Sequence, residues 1–176
     1  MPTEPLTGSR IPGVLLHHPQ VHGDDRGRFV EIFRAAAMPE PFVQCNHSRS
    51  AAGVLRGLHY HTGQADLWYL AAGRAQVGLV DLRPGGGDPV VETFELDGER
   101  PASLYIPRGV AHGYLALTPI DMIYWVTSEY DPADEHGLAW DDPQLGIEWQ
   151  LAEPPVVSAR DAANPTLSWA AIPSFA

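Results

Sequence analysis

Two short stretches gather the residues able to do chemistry. The first reads Gly57-Leu58-His59-Tyr60-His61-Thr62-Gly63-Gln64-Ala65-Asp66, with Gly73 beyond it. The second reads Pro107-Arg108-Gly109-Val110-Ala111-His112. On a strand, residues i and i+2 face the same way, so His59 and His61 are expected on one side, turned inward. The Pro-x-Gly turn precedes a strand and presents a third imidazole, His112. Imidazoles gathered beside an acid can carry protons or ligate a metal. Any one of them taken alone is more often a packed or solvated side chain.

Strands must do the positioning. The chain has 176 residues, of which 17 are glycine and 17 proline. That much punctuation leaves little room for long helices. The longest stretch with helical character that is free of both is Val30–Met38. Elsewhere, brief apolar or alternating runs read as strands at 54–60, 67–71, 75–82, 90–96, 104–106, 113–117 and 122–127. Pro84-Gly85-Gly86-Gly87-Asp88-Pro89 reads as a loop between two of them. Short strands at regular spacing point to a sandwich or small barrel, whose mouth can hold a ligand. One domain over 1–176 is expected: an N-terminal extension with strands over 1–45, a barrel core over 46–150 and a proline-rich wrap over 151–176.

Composition removes other classes. The net charge of −11 argues against a nucleic-acid-binding surface and against docking on anionic lipid. No apolar run approaches the length of a membrane span, and Met1–Arg10 lacks a secretory pattern. The single cysteine, Cys45, has no partner for an internal disulfide. A cytoplasmic protein is the expectation. All 11 basic residues are arginine, so Schiff-base chemistry and Walker-type phosphate binding have no lysine to use.

The two histidine stretches resemble the motifs of the cupin superfamily. His-x-His, four residues, an acid, six residues and Gly is the first motif, with Asp66 where glutamate is usual. Pro-x-Gly-x-x-His is similar to the core of the second, with Ala116 in place of its asparagine. Over nearly the whole chain the sequence resembles the dTDP-4-dehydrorhamnose 3,5-epimerase family of cupin-fold sugar-nucleotide epimerases. The segments that carry this are Asp25-Arg26-Gly27-Arg28-Phe29-Val30-Glu31, Gln44-Cys45-Asn46-His47-Ser48, Gly53-Val54-Leu55-Arg56-Gly57-Leu58-His59 and Ile106-Pro107-Arg108-Gly109-Val110-Ala111-His112-Gly113. Asp142-Pro143-Gln144-Leu145-Gly146-Ile147-Glu148-Trp149 and Ser158-Ala159-Arg160-Asp161-Ala162 extend it to the C-terminal region.

The resemblance implies an all-β fold, a double-stranded β-helix or jelly-roll barrel with few short helices, and a homodimer. It implies His59 as general base, Asp161 as its orienting partner and Tyr124 as general acid. It assigns substrate contacts to Arg26, Glu31, Gln44, Asn46, Arg56, His112 and Tyr130. One departure bears on the chemistry. The family's lysine, placed to stabilise an enolate oxygen, follows a Gln-Ala or Gln-Gly pair; here Gln64-Ala65 is followed by Asp66. Together with His61, that change completes a metal-binding cupin pattern of His59, His61, Asp66 and His112, suited to Fe(II), Ni(II), Mn(II) or Zn(II). A hydrogen-bonded cluster is the plain alternative.

Three functions follow. The first is epimerisation of a dTDP-4-keto-6-deoxyhexose by proton abstraction beside a ketone, needing no cofactor. The second is a metal-dependent cupin enzyme acting on an unknown small molecule. The third is a binding module that keeps the sugar-nucleotide pocket without catalysis.

Overall fold

The computed structural model describes residues 4–5 and 9–175. Thirteen strands occur among them: β1 (Glu4–Pro5), β2 (Leu15–His17), β3 (Val21–Asp24), β4 (Gly27–Val30), β5 (Gln44–Ser50), β6 (Leu55–Tyr60), β7 (Asp66–Ala72), β8 (Arg74–Asp81), β9 (Val90–Asp97), β10 (Ser103–Ile106), β11 (Val110–Ala116), β12 (Ile120–Val126) and β13 (His136–Gly137). Helix is limited to single 3-10 turns at 35–37, 161–163 and 169–171. The stretch Val30–Met38, expected to be the most helical, holds only the first of these turns. Its Phe33 and Met38 instead cover the outer face of a sheet, packed with Leu67, Tyr105 and Trp125. No helix among the described residues is long and apolar enough to cross a membrane.

The strands form a jelly-roll barrel of two antiparallel sheets. One runs β1-β2-β10-β7-β12-β5, the other β13-β6-β11-β8-β9, and β3 and β4 form a separate hairpin. Alternation along each strand decides what lies between the sheets. On β8, Ala75, Val77 and Leu79 join the inner core with Leu70 of β7, Tyr114 of β11 and Met122 of β12. The opposite parity, Val80, packs outward with Leu82 against Leu167, Trp169, Ile172 and Phe175 of the C-terminal segment. Both faces of the five-stranded sheet are therefore covered, which is why β8 is buried from Ala75 to Asp81.

The inner face changes character along the barrel. On β7 the inward side chains run Leu70, Trp68, Asp66; on β11 they run Ala116, Tyr114, His112, Val110. Apolar residues fill one end, and polar ones surround an open cavity at the other.

A close approach of β6 and β11 sets the backbone beneath that cavity. Gly57 has φ +115°, and a Cβ there would lie 2.7 Å from both Gly113 Cα and the His112 carbonyl oxygen. A Cβ on Gly113 would lie 2.7 Å from the Arg56 carbonyl oxygen. Only glycine tolerates this crossing. Gly57→Ala is expected to lose roughly 2–4 kcal/mol, a Tm drop of about 5–15 °C by calorimetry. An unchanged Tm would mean that the strands separate without cost.

Candidate active site

The cavity measures about 580 Å³ and lies between the two sheets. That suits a small organic ligand. The five-stranded sheet supplies His59 from β6 and His112 from β11, which stand opposite each other in register. The six-stranded sheet supplies Asp66 from β7, Tyr124 from β12, and Gln44 and Asn46 from β5. Arg56, His61 and Tyr130 also line it.

His59 and Asp161 meet although 102 residues separate them. His59 Nε2 donates to Asp161 Oδ1 at 2.7 Å. The carboxylate is buried, and its second oxygen accepts the Gly57 N–H at 3.2 Å. Burial alone would raise the Asp161 carboxyl, but the His59 hydrogen bond and charge, with the Gly57 and Ser158 contacts, hold it below the ordinary carboxylate range. Asp161 is thus an anion at neutral pH. With Nε2 committed to it, Nδ1 of His59 is the nitrogen left to accept a proton. The imidazole lines the cavity and keeps 24% of its side-chain surface exposed.

The second group is His61, Asp66 and His112. Each offers one ligand atom, and these atoms lie within 4.8 Å of one another. The four-residue set expected from the sequence is thereby divided, because His59 is turned to Asp161. His61 lines the same cavity as His59, as its spacing implies, but from just past the strand end. β6 ends at Tyr60, so His61 lies beyond the strand, where its Nδ1 donates to the Asp134 carbonyl at 2.8 Å. His112 Nδ1 donates to the Val110 carbonyl at 3.0 Å. Burial holds the His112 imidazole well below its ordinary range, outweighing the attraction of Asp66, so it is neutral. Asp66 accepts from Gln64 Nε2 at 2.9 Å and Trp68 Nε1 at 3.2 Å.

Tyr124 reaches the cavity from the sheet opposite His59. Burial, with the negative charge of Asp66 adding to it, raises its phenol, so the hydroxyl keeps its proton at neutral pH. Gln44 Nε2 donates to Asn46 Oδ1 at 2.9 Å, and Gln44 Oε1 accepts the Tyr130 N–H at 3.1 Å. Arg56 Nε donates to Ser50 Oγ at 3.1 Å. Two expected contacts lie elsewhere. Arg26 pairs with Asp24 at the tip of the β3–β4 hairpin, and Glu31 pairs with Arg34 at 2.8 Å; neither lines the cavity of its own chain.

Several positioning residues carry no signal in the sequence. Asp134 fixes His61 through its carbonyl and also accepts from the Thr62 N–H at 2.7 Å. Trp68 both holds Asp66 and packs edge-on to His112 with ring centroids 5.2 Å apart. His47 lies outside the cavity lining and pairs with Asp121 at 2.9 Å. His136 stacks on Tyr60 with ring centroids 5.0 Å apart.

This arrangement has close relatives. A sequence profile of the dTDP-4-dehydrorhamnose 3,5-epimerase family matches residues 8–168. The dTDP-4-dehydrorhamnose 3,5-epimerase of Pseudomonas aeruginosa is 41% identical over 163 residues, covering 86% of this chain and 89% of that one. Among solved structures, dTDP-6-deoxy-D-glucose-3,5-epimerase from Legionella pneumophila, in complex with dTDP-4-keto-L-rhamnose, matches with a TM-score of 0.84. It is 35% identical over 96% of each chain. A 3'-monoepimerase from Streptomyces bikiniensis in complex with dTDP-quinovose matches with a TM-score of 0.83 at 34% identity, over 90% of this chain and 85% of that one. With a profile match across most of its length and relatives this similar, the chain belongs to the dTDP-4-dehydrorhamnose 3,5-epimerase family.

Proposed function

We propose that the chain inverts carbon centres beside the ketone of a dTDP-4-keto-6-deoxyhexose, with His59 as base, Asp161 as its partner and Tyr124 as acid. It is an isomerase of deoxysugar biosynthesis, as its relatives' names and their dTDP-sugar complexes support. One observation carries the assignment of roles. A solvent-accessible imidazole, oriented by a buried carboxylate, faces a protonated phenol across a cavity of ligand size.

The steps balance. The ketone at C4 acidifies the hydrogens on its neighbouring carbons. His59 Nδ1 takes one of them, the C–H electron pair forms the enolate double bond, and the carbonyl π pair moves to oxygen. Asp161 stabilises the imidazolium that results and fixes the tautomer. Tyr124 then gives its proton to the opposite face of the same carbon. The imidazolium loses its proton to water at the open mouth, and the tyrosinate regains one. No net oxidation occurs, so the reaction calls for no hydride carrier. Gln44, Asn46, Arg56 and Tyr130 are proposed to hold the nucleotide and sugar. The Arg56 guanidinium suits a diphosphate because its planar fork can give two hydrogen bonds.

The test is deuterium wash-in from solvent at C3 and C5 of a dTDP-4-keto-6-deoxyhexose, followed by NMR. Exchange with inversion at one or both carbons is expected. Folded protein that catalyses no exchange would overturn the proposal.

We also propose a homodimer in which the β3–β4 hairpin carries Arg26 and Glu31 toward the second copy's cavity. Phe29 is 67% exposed and Val21 45% exposed on that hairpin, an apolar surface unusual for a free loop. Light scattering should give a mass of two chains, and Phe29→Asp should shift it toward one. A single-chain mass for the parent would remove this reading.

A further inference from the structure

The enolate of the proposed reaction is stabilised by a cation or hydrogen-bond donors at its oxygen, and the chain has no lysine to supply the cation. The buried end of the cavity offers the reverse. Asp66 is 4% exposed and points inward among neutral donors, Gln64 and Trp68. A bare carboxylate there would oppose the charge that develops on the substrate. The surroundings of that carboxylate bear on what neutralises it.

Asp66 shares its position with two imidazoles whose orientation is fixed. His61 gives Nδ1–H to the Asp134 carbonyl at 2.8 Å, and His112 gives Nδ1–H to the Val110 carbonyl at 3.0 Å. In the neutral form of each ring Nε2 is then the nitrogen free to ligate. Backbone carbonyls taking the far N–H are the usual way of orienting imidazoles that ligate metal. Both oxygens of Asp66 are likewise held, one by Gln64 and one by Trp68.

The spacing separates a metal site from a plain hydrogen-bonded cluster. His112 Nε2 lies 3.7 Å from Asp66 Oδ2, beyond hydrogen-bond length. That gap leaves both atoms without each other as hydrogen-bond partners and with room for an ion between them. A shared cation fits it, since two donors each about 2.1 Å from one ion stand roughly 3–4 Å apart. All three donor atoms fall within 4.8 Å of one another, so a modest side-chain rotation closes the set. His59 is outside it, with Nε2 held by Asp161 at 2.7 Å.

We propose that His61, Asp66 and His112 bind one divalent transition-metal ion beside the His59–Asp161 pair, and that this ion is the electrophile for the substrate's carbonyl oxygen. Two imidazoles and one carboxylate leave open positions and suit Fe(II), Mn(II), Ni(II) or Zn(II). The ion would stabilise the enolate as a Lewis acid. Base and metal then coexist, because no nitrogen is asked to serve both. The binding site stands on its own geometry; the electrophilic role rests on the epimerase reading above.

The experiment uses the full chain without a histidine tag, stripped with chelator and titrated with Co(II) and Zn(II). One Co(II) per chain is expected, with ligand-field absorption showing nitrogen and oxygen coordination. Asp66→Asn and His61→Gln should each reduce occupancy to less than a tenth, with near-ultraviolet circular dichroism confirming that they remain folded. His59→Ala should retain one ion per chain. Folded parent protein that binds neither ion would overturn the site, and loss of binding in His59→Ala would overturn the three-residue set. Deuterium wash-in separates the two claims. At least a tenfold fall on chelation, restored by Zn(II) or Mn(II), is expected. Stoichiometric binding with wash-in unaffected by chelation would overturn the electrophilic role. Stoichiometric binding with no wash-in under any condition would overturn the epimerase reading while leaving the site intact.

Discussion

His59→Ala is expected to slow deuterium wash-in at the carbons beside the ketone by about 10³–10⁴-fold, because it removes the imidazole that the Asp161 carboxylate orients in the cavity. The comparison with Asp161→Asn makes the result specific. The Asp161 carboxylate is buried and accepts both His59 Nε2–H and the Gly57 N–H. An asparagine amide can instead present N–H to the imidazole, forcing Nε2 to accept and moving the proton onto Nδ1. The base would then be protonated at the atom that must react. A loss of about 10²–10⁴-fold is expected for Asp161→Asn, with dTDP binding retained as the measure that the pocket persists. The pair also gives a signed pH effect. Asp161 is held below its unfolded value, so its contribution to stability is complete above the ordinary carboxylate range and is lost as pH falls through its lowered folded value. The acid limb of the parent's stability curve should flatten in Asp161→Asn. Wash-in within tenfold of the parent for His59→Ala would remove His59 as base.

The strands most readable in the sequence are those whose inward face is apolar. β8 and β9 fall within a residue or two of the expected runs, because Ala75, Val77, Leu79 and Leu96 enter the core with period two. β5 was not legible for the converse reason. Its inward side chains are Gln44, Asn46, Ser48 and Ser50, which face the cavity or the Tyr114 hydroxyl, so no hydrophobic period betrays the strand. The strand invisible to hydropathy is among those that line the site.

The site itself was legible by type and only partly by geometry. His59 and His112 face each other as the motifs implied. His61 lines the cavity with His59 as the i, i+2 spacing implies, although β6 stops at Tyr60 and the Asp134 carbonyl, not a strand partner, holds its ring. The division of four candidate ligands into a His59–Asp161 pair and a three-residue cluster depends on side-chain rotation, which period-two reasoning does not contain. Arg26 and Glu31 matched the family pattern, yet they stand on a hairpin away from their own cavity. Sequence similarity records residue type, not whether a side chain reaches its own chain's cavity.

Tyr124→Phe should separate exchange from inversion. Tyr124 stands on β12 of the six-stranded sheet, whereas His59 stands on β6 of the other, so a sugar between them presents opposite faces to the two groups. Phenylalanine keeps the ring and removes only the proton donor. His59 can still take a proton, exchange it with deuterated water through its exposed edge and return deuterium to the same face. Wash-in with retained configuration is therefore expected to persist, while formation of the inverted sugar falls by about 10²–10⁴-fold. NMR distinguishes the two, since deuterium enters the starting sugar without appearance of the epimer. Burial holds the Tyr124 proton at neutral pH, so the parent should show both processes together. Undiminished inversion in Tyr124→Phe would move the acid elsewhere, and Tyr130, 63% exposed at the cavity's mouth, would be the next phenol to replace. Loss of exchange and inversion together would mean that the hydroxyl acts before the enolate forms, as a donor to the ketone rather than to carbon.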